Sequence, residues 1–185
     1  MISKTLVLTL ALLALVLPAG AGASSRQFTI LQDDGNLLNQ SGRNKTDAMS
    51  EAKSLGVDMV RTFVVWDKVS PRPNSKRKPR GFDVGNPNSK GYDWSYYDKY
   101  VEEARRNGLK VFFTLSPPLP DWASENPGFC PHLIGGYSNL GRSCYWKPKP
   151  KVFGQFAKAV ARRYRGKVDL WSIWNEPNLE HYLYP

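Results

Sequence analysis

The densest group of chemically capable side chains lies near the C-terminus, in "DLWSIWNEPN" (residues 169–178). The apolar and aromatic part of this stretch predicts a strand, and Pro177, which has no amide hydrogen, marks the end of its hydrogen bonding. Asn175 and Glu176 then project from the carboxyl end of that strand. A glutamate can transfer a proton there, and an asparagine beside it can hydrogen-bond a substrate hydroxyl. A lone Glu-Pro is more often a solvated turn, so the surrounding elements must distinguish the two interpretations.

Alternating helix and strand patterns precede this motif. Segments with one apolar face predict helices at 46–56, 93–108 and 151–166, and β-rich runs predict strands at 27–34, 57–66, 109–118 and 167–175. Asp93 is placed to cap the second helix, and Gly56, Gly108 and Gly166 stand where a helix ends in a left-handed residue. The order β-α-β-α-β-α-β predicts a parallel sheet covered by helices.

The links that follow the strands are much longer than the links that precede them. About 26 residues follow Trp66 and about 30 follow Pro118, and loops of that length usually have a function. Sites in parallel α/β folds lie at the carboxyl ends of the strands. We therefore expect the functional site at that edge, where Asn175 and Glu176 lie.

The stretch "IWNEPN" resembles the acid/base signature of the retaining glycoside hydrolases of clan A, in which Asn-Glu closes the fourth strand of a barrel. The stretches "VRTFVVWDKVSP" and "TLSPPLPDWAS" are similar to families 5 and 39 of that clan. The resemblance covers residues 28–185 and implies a (β/α)8 TIM barrel, present here as an N-terminal half with strands 1–4.

The resemblance also implies roles for three residues. Glu176 matches the general acid that protonates the departing glycosidic oxygen and later activates water, for which burial and a second carboxylate must keep it neutral at rest. Asn175 matches the residue that binds the sugar 2-hydroxyl. Arg61 matches an arginine of strand 2 that orients the nucleophilic carboxylate. The nucleophile itself is expected on strand 7, about 5 Å from Glu176, so we expect the chain to be a fragment that is inactive alone.

Aromatic and acidic residues near the strand ends are further candidates for sugar contact. Pyranose rings can stack on indoles, and the tryptophans so placed are Trp66, Trp122, Trp146 and Trp174, although each of them can equally pack in the core. Trp171, inside the last strand, is expected in the core. Asp33 and Asp34 can bind sugar hydroxyls or cap a turn. Where many relatives carry a histidine at the end of strand 3, this chain has Ser116 before two prolines, which leaves that sugar contact in doubt.

The N-terminus predicts export. Lys4 precedes an apolar run from Thr5 to Leu17, and small residues follow, so residues 1–23 are predicted to be a signal peptide and residues 24–185 the mature catalytic half-barrel.

In an exported chain, Cys130 and Cys144 are expected to form a disulfide across a 15-residue loop, worth roughly 3 kcal/mol. Asn39 and Asn44 begin N-glycosylation sequons, whose use depends on the source organism.

The formal charge is +10, with basic residues concentrated in "SPRPNSKRKPRG" and in the third predicted helix. No nucleic-acid motif accompanies them, so a nucleic acid is not an expected partner, nor is a membrane after signal cleavage. His132 and His181 lack ligand spacing, so no metal or organic cofactor is expected. The expected partners are a carbohydrate substrate and the missing C-terminal half of the barrel.

One alternative function and one alternative fold remain open. A non-catalytic half-barrel would bind glycans through its loop aromatics without any dependence on Glu176. A flavodoxin-like domain is disfavoured because "LQDDGNLL" stands where a glycine-rich phosphate loop would follow strand 1.

Overall fold

The computed structural model describes residue 24, residues 27–38, 45–128 and 147–179, and residue 183. The strands are β1 (Ile30–Leu31), β2 (Met59–Val65), β3 (Lys110–Ser116) and β4 (Leu170–Ile173). The helices are α1 (Lys45–Ser54), α2 (Trp66–Val69), α3 (Ser95–Arg106) and α4 (Pro150–Arg163), with a π-helical turn at Asp34–Leu38 and a 3-10 turn at Asp121–Ala123. Among the described residues, no helix combines the length and apolar character that crossing a membrane requires.

All four strands form one sheet in the order β1-β2-β3-β4, and every pair is parallel. The register pairs Val60 with Val111 and Phe113 with Trp171. This confirms the predicted alternation of strands and helices and the predicted α/β class with a parallel sheet. Because the strands are parallel, their carboxyl ends meet at one edge of the sheet.

One face of the sheet packs on the helices and forms the core. Alternate residues of a strand point to the same face, and those on the helix side are almost fully buried: Val60, Val64, Val111, Phe113 and Leu115. The Phe113 ring lies 6.0 Å from that of Tyr97 in α3 and 5.1 Å from that of Tyr164 after α4. The other face carries the polar residues Arg61, Thr114 and Ser172 beside apolar ones, while Thr62 is a buried polar residue on the helix side.

The helix ends follow the predicted local rules only in part. The Asp93 carboxylate accepts hydrogen bonds from the Ser95 amide at 3.0 Å and the Ser95 hydroxyl at 2.6 Å, but Trp94 is the residue that caps α3, so the prediction that Asp93 is the N-cap is wrong by one residue. Gly108 and Gly166 have φ of +69° and +71°, the left-handed conformation that ends a helix at low cost only for glycine. These turns set the short links into β3 and β4.

The edge strands leave apolar side chains uncovered. Trp171 was expected in the core, but 39 % of it is exposed, and its ring contacts that of Phe113 at 5.9 Å. Ile173 is 68 % exposed. The expectation for Trp171 is wrong because β4 has a neighbouring strand on one side only within the described residues.

Candidate functional site at the carboxyl edge of the sheet

The motif turns sharply where β4 ends. The Trp174 amide still donates to the Leu115 carbonyl at 2.8 Å, which extends the contact between β3 and β4 by one residue. Trp174 and Glu176 then adopt φ of +63° and +48°, values that cost a residue with a Cβ about 1 kcal/mol or more. Strained backbone of this kind concentrates at functional sites, and here it sets the direction of the Asn175 and Glu176 side chains.

Arg61 links the middle of the sheet to this motif. Its Nε donates to Thr114 Oγ1 at 2.9 Å, and its Nη2 donates to Asn175 Oδ1 at 3.4 Å. The guanidinium also lies 5.2 Å from the ring centres of both Phe63 and Phe112. A planar cation held by two acceptors and two rings has little freedom, so Arg61 is placed to orient Asn175.

The row of hydrogen bonds continues from Asn175 to Glu176. Asn175 Nδ2 donates to Glu176 Oε2 at 3.2 Å, while Asn175 Oδ1 is occupied by Arg61. Three residues predicted from the sequence are therefore brought together: Arg61, Asn175 and Glu176. Glu176 is exposed, so the described residues do not supply the burial that was expected for it. Its carboxyl group is therefore hydrogen-bonded to Asn175 through Oε2 and accessible from solvent.

Thr114 and Ser172 complete the network, and the sequence analysis did not identify them. The Ser172 hydroxyl donates to Thr114 Oγ1 at 2.8 Å, and Thr114 is fully buried. The two residues are paired in the register of β3 and β4. The only signal in the sequence is a polar residue within each apolar strand. The register of the two strands is needed to show that these residues lie side by side.

The predicted stacking tryptophans lie in the core instead. Trp66 is fully buried, with its ring stacked at 5.0 Å on Phe156. Trp122 is 3 % exposed, and its Nε1 donates to the Pro71 carbonyl at 3.2 Å. Trp174 is 8 % exposed, with its ring 5.4 Å from that of Phe153. The prediction that these rings stack on sugars is corrected, because α4 and the segments after β2 and β3 cover them.

Two acidic residues after β1 have protein partners. Asp33 accepts hydrogen bonds from the side chain and the amide of Asn36, at 2.6 and 3.0 Å, and these bonds lower the pKa of Asp33. Asp34 accepts one from Thr62 Oγ1 at 2.8 Å, while burial raises the pKa of Asp34. Of the two predicted roles, the structure supports the turn cap for Asp33, whereas Asp34 makes a contact with β2 that was not predicted.

A further carboxyl group, Asp67, lies at the same edge directly after β2. Its amide donates to the Pro118 carbonyl beyond β3 at 3.0 Å, and its buried Oδ1 has no hydrogen-bond partner among the described residues. Burial raises the pKa of Asp67 to about 6. No sequence pattern selects this residue, since its burial depends on how the two neighbouring loops pack.

Several predicted features lie outside the described residues. These are the signal peptide at 1–23, the sequons at Asn39 and Asn44, the Cys130–Cys144 disulfide and Trp146. They stay predictions. Within the described ranges, His, Cys, Asp and Glu side chains do not come together in groups of three that could hold a metal ion.

Sequence comparison finds glycosidases. No protein-family model matches the chain. It is 27 % identical over 128 residues to a phospho-cellobiase of Klebsiella oxytoca, a match that covers 68 % of this chain and 22 % of that protein. It is 27 % identical over 124 residues to an aryl-phospho-beta-D-glucosidase of Bacillus subtilis, covering 67 % of this chain and 21 % of the relative. The chain thus spans about a fifth of the length of these relatives.

Structure comparison finds the same kind of enzyme. A family 39 glycoside hydrolase from Bacteroides cellulosilyticus WH2 matches with a TM-score of 0.51 at 14 % identity, over 81 % of this chain and 24 % of that chain. A glucosidase from Croceicoccus marinus matches with a TM-score of 0.51 at 16 % identity, over 85 % of this chain and 30 % of that chain. The predicted resemblance to TIM-barrel glycoside hydrolases is therefore confirmed, with partial coverage.

Proposed function

We propose that the protein carrying this chain is a retaining glycoside hydrolase that cleaves O-glycosidic bonds, with Glu176 as its acid/base residue. One observation supports this above the others. The row Arg61–Asn175–Glu176 is hydrogen-bonded at the carboxyl edge of a sheet that resembles glycosidases in sequence and in fold.

In this proposal each member of the row acts on a different atom. The Glu176 carboxyl donates its proton to the glycosidic oxygen as the bond from that oxygen to the anomeric carbon breaks, and the resulting carboxylate then accepts a proton from the attacking water. Asn175 donates from Nδ2 to the neighbouring sugar hydroxyl. Because Arg61 occupies Oδ1, the Asn175 amide is held with Nδ2 turned toward the Glu176 side.

Retention requires a second carboxylate about 5 Å from the first, acting as the nucleophile. The family pattern places that residue on strand 7, beyond the four strands that the structure describes. We therefore propose that this chain supplies the acid/base half of the site and that further elements of the protein supply the nucleophile.

Two finer features of the proposal concern linkage and location. The Bacillus subtilis relative is named for a beta-D-glucoside, so we propose a β-linked sugar as substrate. The charged and apolar pattern of residues 1–23 supports export, so we propose that the protein acts outside the cell after cleavage following Ala23.

The test replaces Glu176 with Gln in the full-length protein and compares two β-glucosides. For an alkyl glucoside, whose leaving group needs a proton, we expect kcat/KM to fall roughly a thousandfold. The leaving group of a dinitrophenyl glucoside departs as a stable anion and needs no proton. For this substrate we expect a much smaller decrease in the rate at which the glycosyl-enzyme forms. This difference distinguishes loss of an acid from loss of the fold.

Glu125→Gln is the matched control, since Glu125 is also an exposed glutamate on a segment after a strand. It should keep normal activity on both substrates. Unchanged activity of Glu176→Gln on the alkyl glucoside would contradict the proposed role. Sugar binding without hydrolysis by the unmodified protein would favour the non-catalytic alternative.

A further inference from the structure

A strongly basic segment follows β2 and α2. Residues 70–82, here called the basic loop, contain no acidic residue and five basic ones: Arg72, Lys76, Arg77, Lys78 and Arg80. All five are exposed. In the described part of the chain, none of them lies within ion-pair distance of a carboxylate. Their positive charge is therefore not compensated by the described residues around them.

The basic loop has a defined shape despite its exposure. Ser75 closes a turn, with its amide donating to the Arg72 carbonyl at 3.0 Å and its hydroxyl donating to the Arg77 carbonyl at 2.9 Å. Phe82, at the end of the loop, is 2 % exposed, and its ring lies 4.8 Å from that of Tyr92. Binding to a loop that is already ordered costs less conformational entropy than binding that must first order the loop.

The basic loop lies at the same edge of the sheet as Glu176. It begins beyond the carboxyl end of β2, and its Pro71 and Pro73 carbonyls accept hydrogen bonds from Trp122 Nε1 and the Asp121 amide, at 3.2 and 2.7 Å. Asp121 and Trp122 follow β3. Since parallel strands end at one edge, the loop and the Asn175–Glu176 turn share that edge.

A continuous row of ring contacts joins the basic loop to the motif. The ring of Trp122 lies 6.3 Å from that of Trp66, which lies 5.6 Å from that of Phe153, which lies 5.4 Å from that of Trp174. Trp174 directly precedes Asn175. Packed aromatic rings of this kind hold the loop at a fixed position relative to the proposed acid/base residue.

We propose that the basic loop binds an acidic polysaccharide, one with carboxylate or sulfate groups along its length, and so directs the site toward acidic glycans. The second half of this proposal rests on the proposed function. Guanidinium and ammonium groups form charge-assisted hydrogen bonds with carboxylate and sulfate oxygens. A polymer with repeated anionic groups can contact several separated cations at once, which raises its overall affinity.

The composition of the basic loop favours this polymer over two other polyanions. Its one aromatic residue, Phe82, is buried, so no ring is offered for stacking on single-stranded nucleic acid bases. None of its exposed residues has an apolar side chain, and its prolines are half-buried, so it offers nothing large to insert into a membrane surface. What remains is contact through charge and hydrogen bonds, which suits a hydrated acidic sugar chain.

The experiment measures the affinity of the full-length protein for polygalacturonate and for a neutral dextran at low and high NaCl concentration. The test variant is Lys76→Gln/Arg77→Gln/Arg80→Gln. The control variant is Lys151→Gln/Lys158→Gln/Arg162→Gln, which removes the same charge from exposed positions of α4. We expect the loop variant to bind polygalacturonate about tenfold more weakly at low salt, with little change in the control. High salt should abolish most of the difference.

Three outcomes would overturn the proposal. Equal weakening in both variants would mean that only net charge matters. Equal affinity of the unmodified protein for polygalacturonate and dextran would mean that the loop charges are not used. Tighter binding to single-stranded DNA or to anionic phospholipid vesicles than to polygalacturonate would assign the loop to another class of partner.

Hydrolysis of a neutral dinitrophenyl β-glucoside, measured alongside, separates this proposal from the proposed function. Hydrolysis without binding of polygalacturonate would contradict the role of the basic loop alone. Binding of polygalacturonate without hydrolysis of any glycoside would contradict the enzymatic proposal and leave glycan binding by the loop intact.

Discussion

At the scale of single residues, Arg61 is the side chain on which the geometry of the site depends. Its guanidinium donates to two acceptors at once, to Thr114 Oγ1 on β3 through Nε and to Asn175 Oδ1 in the turn after β4 through Nη2. A lysine carries the same charge on a single nitrogen atom and cannot reproduce this planar geometry. Arg61 thus acts as a positioning residue for Asn175, and through Asn175 it affects the orientation of Glu176.

Substituting Arg61 with Lys in the full-length protein should therefore lower kcat/KM by about a hundredfold, the cost of a small misplacement near the reacting atoms. We expect most of the loss in kcat, because in the proposed mechanism Asn175 contacts a sugar hydroxyl, and that hydrogen bond strengthens in the transition state. Steady-state kinetics with a thermal unfolding measurement check this.

The matched control is Arg106→Lys. Arg106 also bridges two acceptors, Glu102 at 2.8 Å and Glu103, but it lies on the exposed face of α3. An exposed ion pair contributes little, so activity and stability should stay close to those of the unmodified protein. A normal kcat in Arg61→Lys would show that Arg61 does not position Asn175.

At the scale of elements, replacing a glycine inside α4 and replacing one just after α4 should change the free energy of unfolding in opposite directions. Gly154 lies inside α4, and a Cβ added there would meet nothing within 4 Å. Gly166 lies beyond the end of α4 with φ of +71°, and a Cβ there would also meet nothing within 4 Å. Steric contact with neighbouring residues is therefore absent at both positions, and backbone conformation alone decides the outcome.

Gly154→Ala should raise the free energy of unfolding by about 1 kcal/mol, because alanine is the better helix former and restricts the unfolded chain. Gly166→Ala should lower it by about 1 kcal/mol or more, because a residue with a Cβ is strained in the left-handed conformation. Urea unfolding of both full-length variants measures the difference. The same sign for both substitutions would rule out the backbone explanation.

At the scale of the whole molecule, the sheet formed by the described residues has two edges with exposed apolar side chains. On β1 and β4, Ile30 is 44 % exposed and Leu170 is 41 % exposed. Unpaired edge strands with apolar side chains favour association with further strands, and closure of a barrel removes such edges. The exposed edges and the proposed mechanism lead to the same expectation, which is that additional strands pair with β1 and β4.

We expect the exported protein from its native source to begin at Ser24 and to have a mass well above the 20.9 kDa of this chain. Closure of an eight-stranded barrel takes about 250 residues, which sets the approximate minimum size. Intact mass measurement with N-terminal sequencing checks both expectations. A product of residues 24–185 alone would contradict the proposed two-carboxylate mechanism and favour glycan binding.

The sequence by itself determined the features that depend on local physics. The apolar periods of 3.6 and 2 residues identified the helices and strands, the glycine positions marked the helix ends, and Pro177 placed Asn175 and Glu176 at a strand terminus. These signals involve neighbours within a few residues, so a single sequence carries them completely. The fold class and the acid/base candidate followed from them together with the resemblance of "IWNEPN".

The tertiary structure alone decided which side chains meet. Arg61 bonds to partners 53 and 114 residues away, and the sheet register that brings Thr114 beside Ser172 is set by packing across the whole domain. The same packing buried Trp66 and left Trp171 exposed, although their positions along the strands had predicted the reverse. Burial depends on what covers each face of the sheet, and that information belongs to the assembled fold rather than to any local pattern.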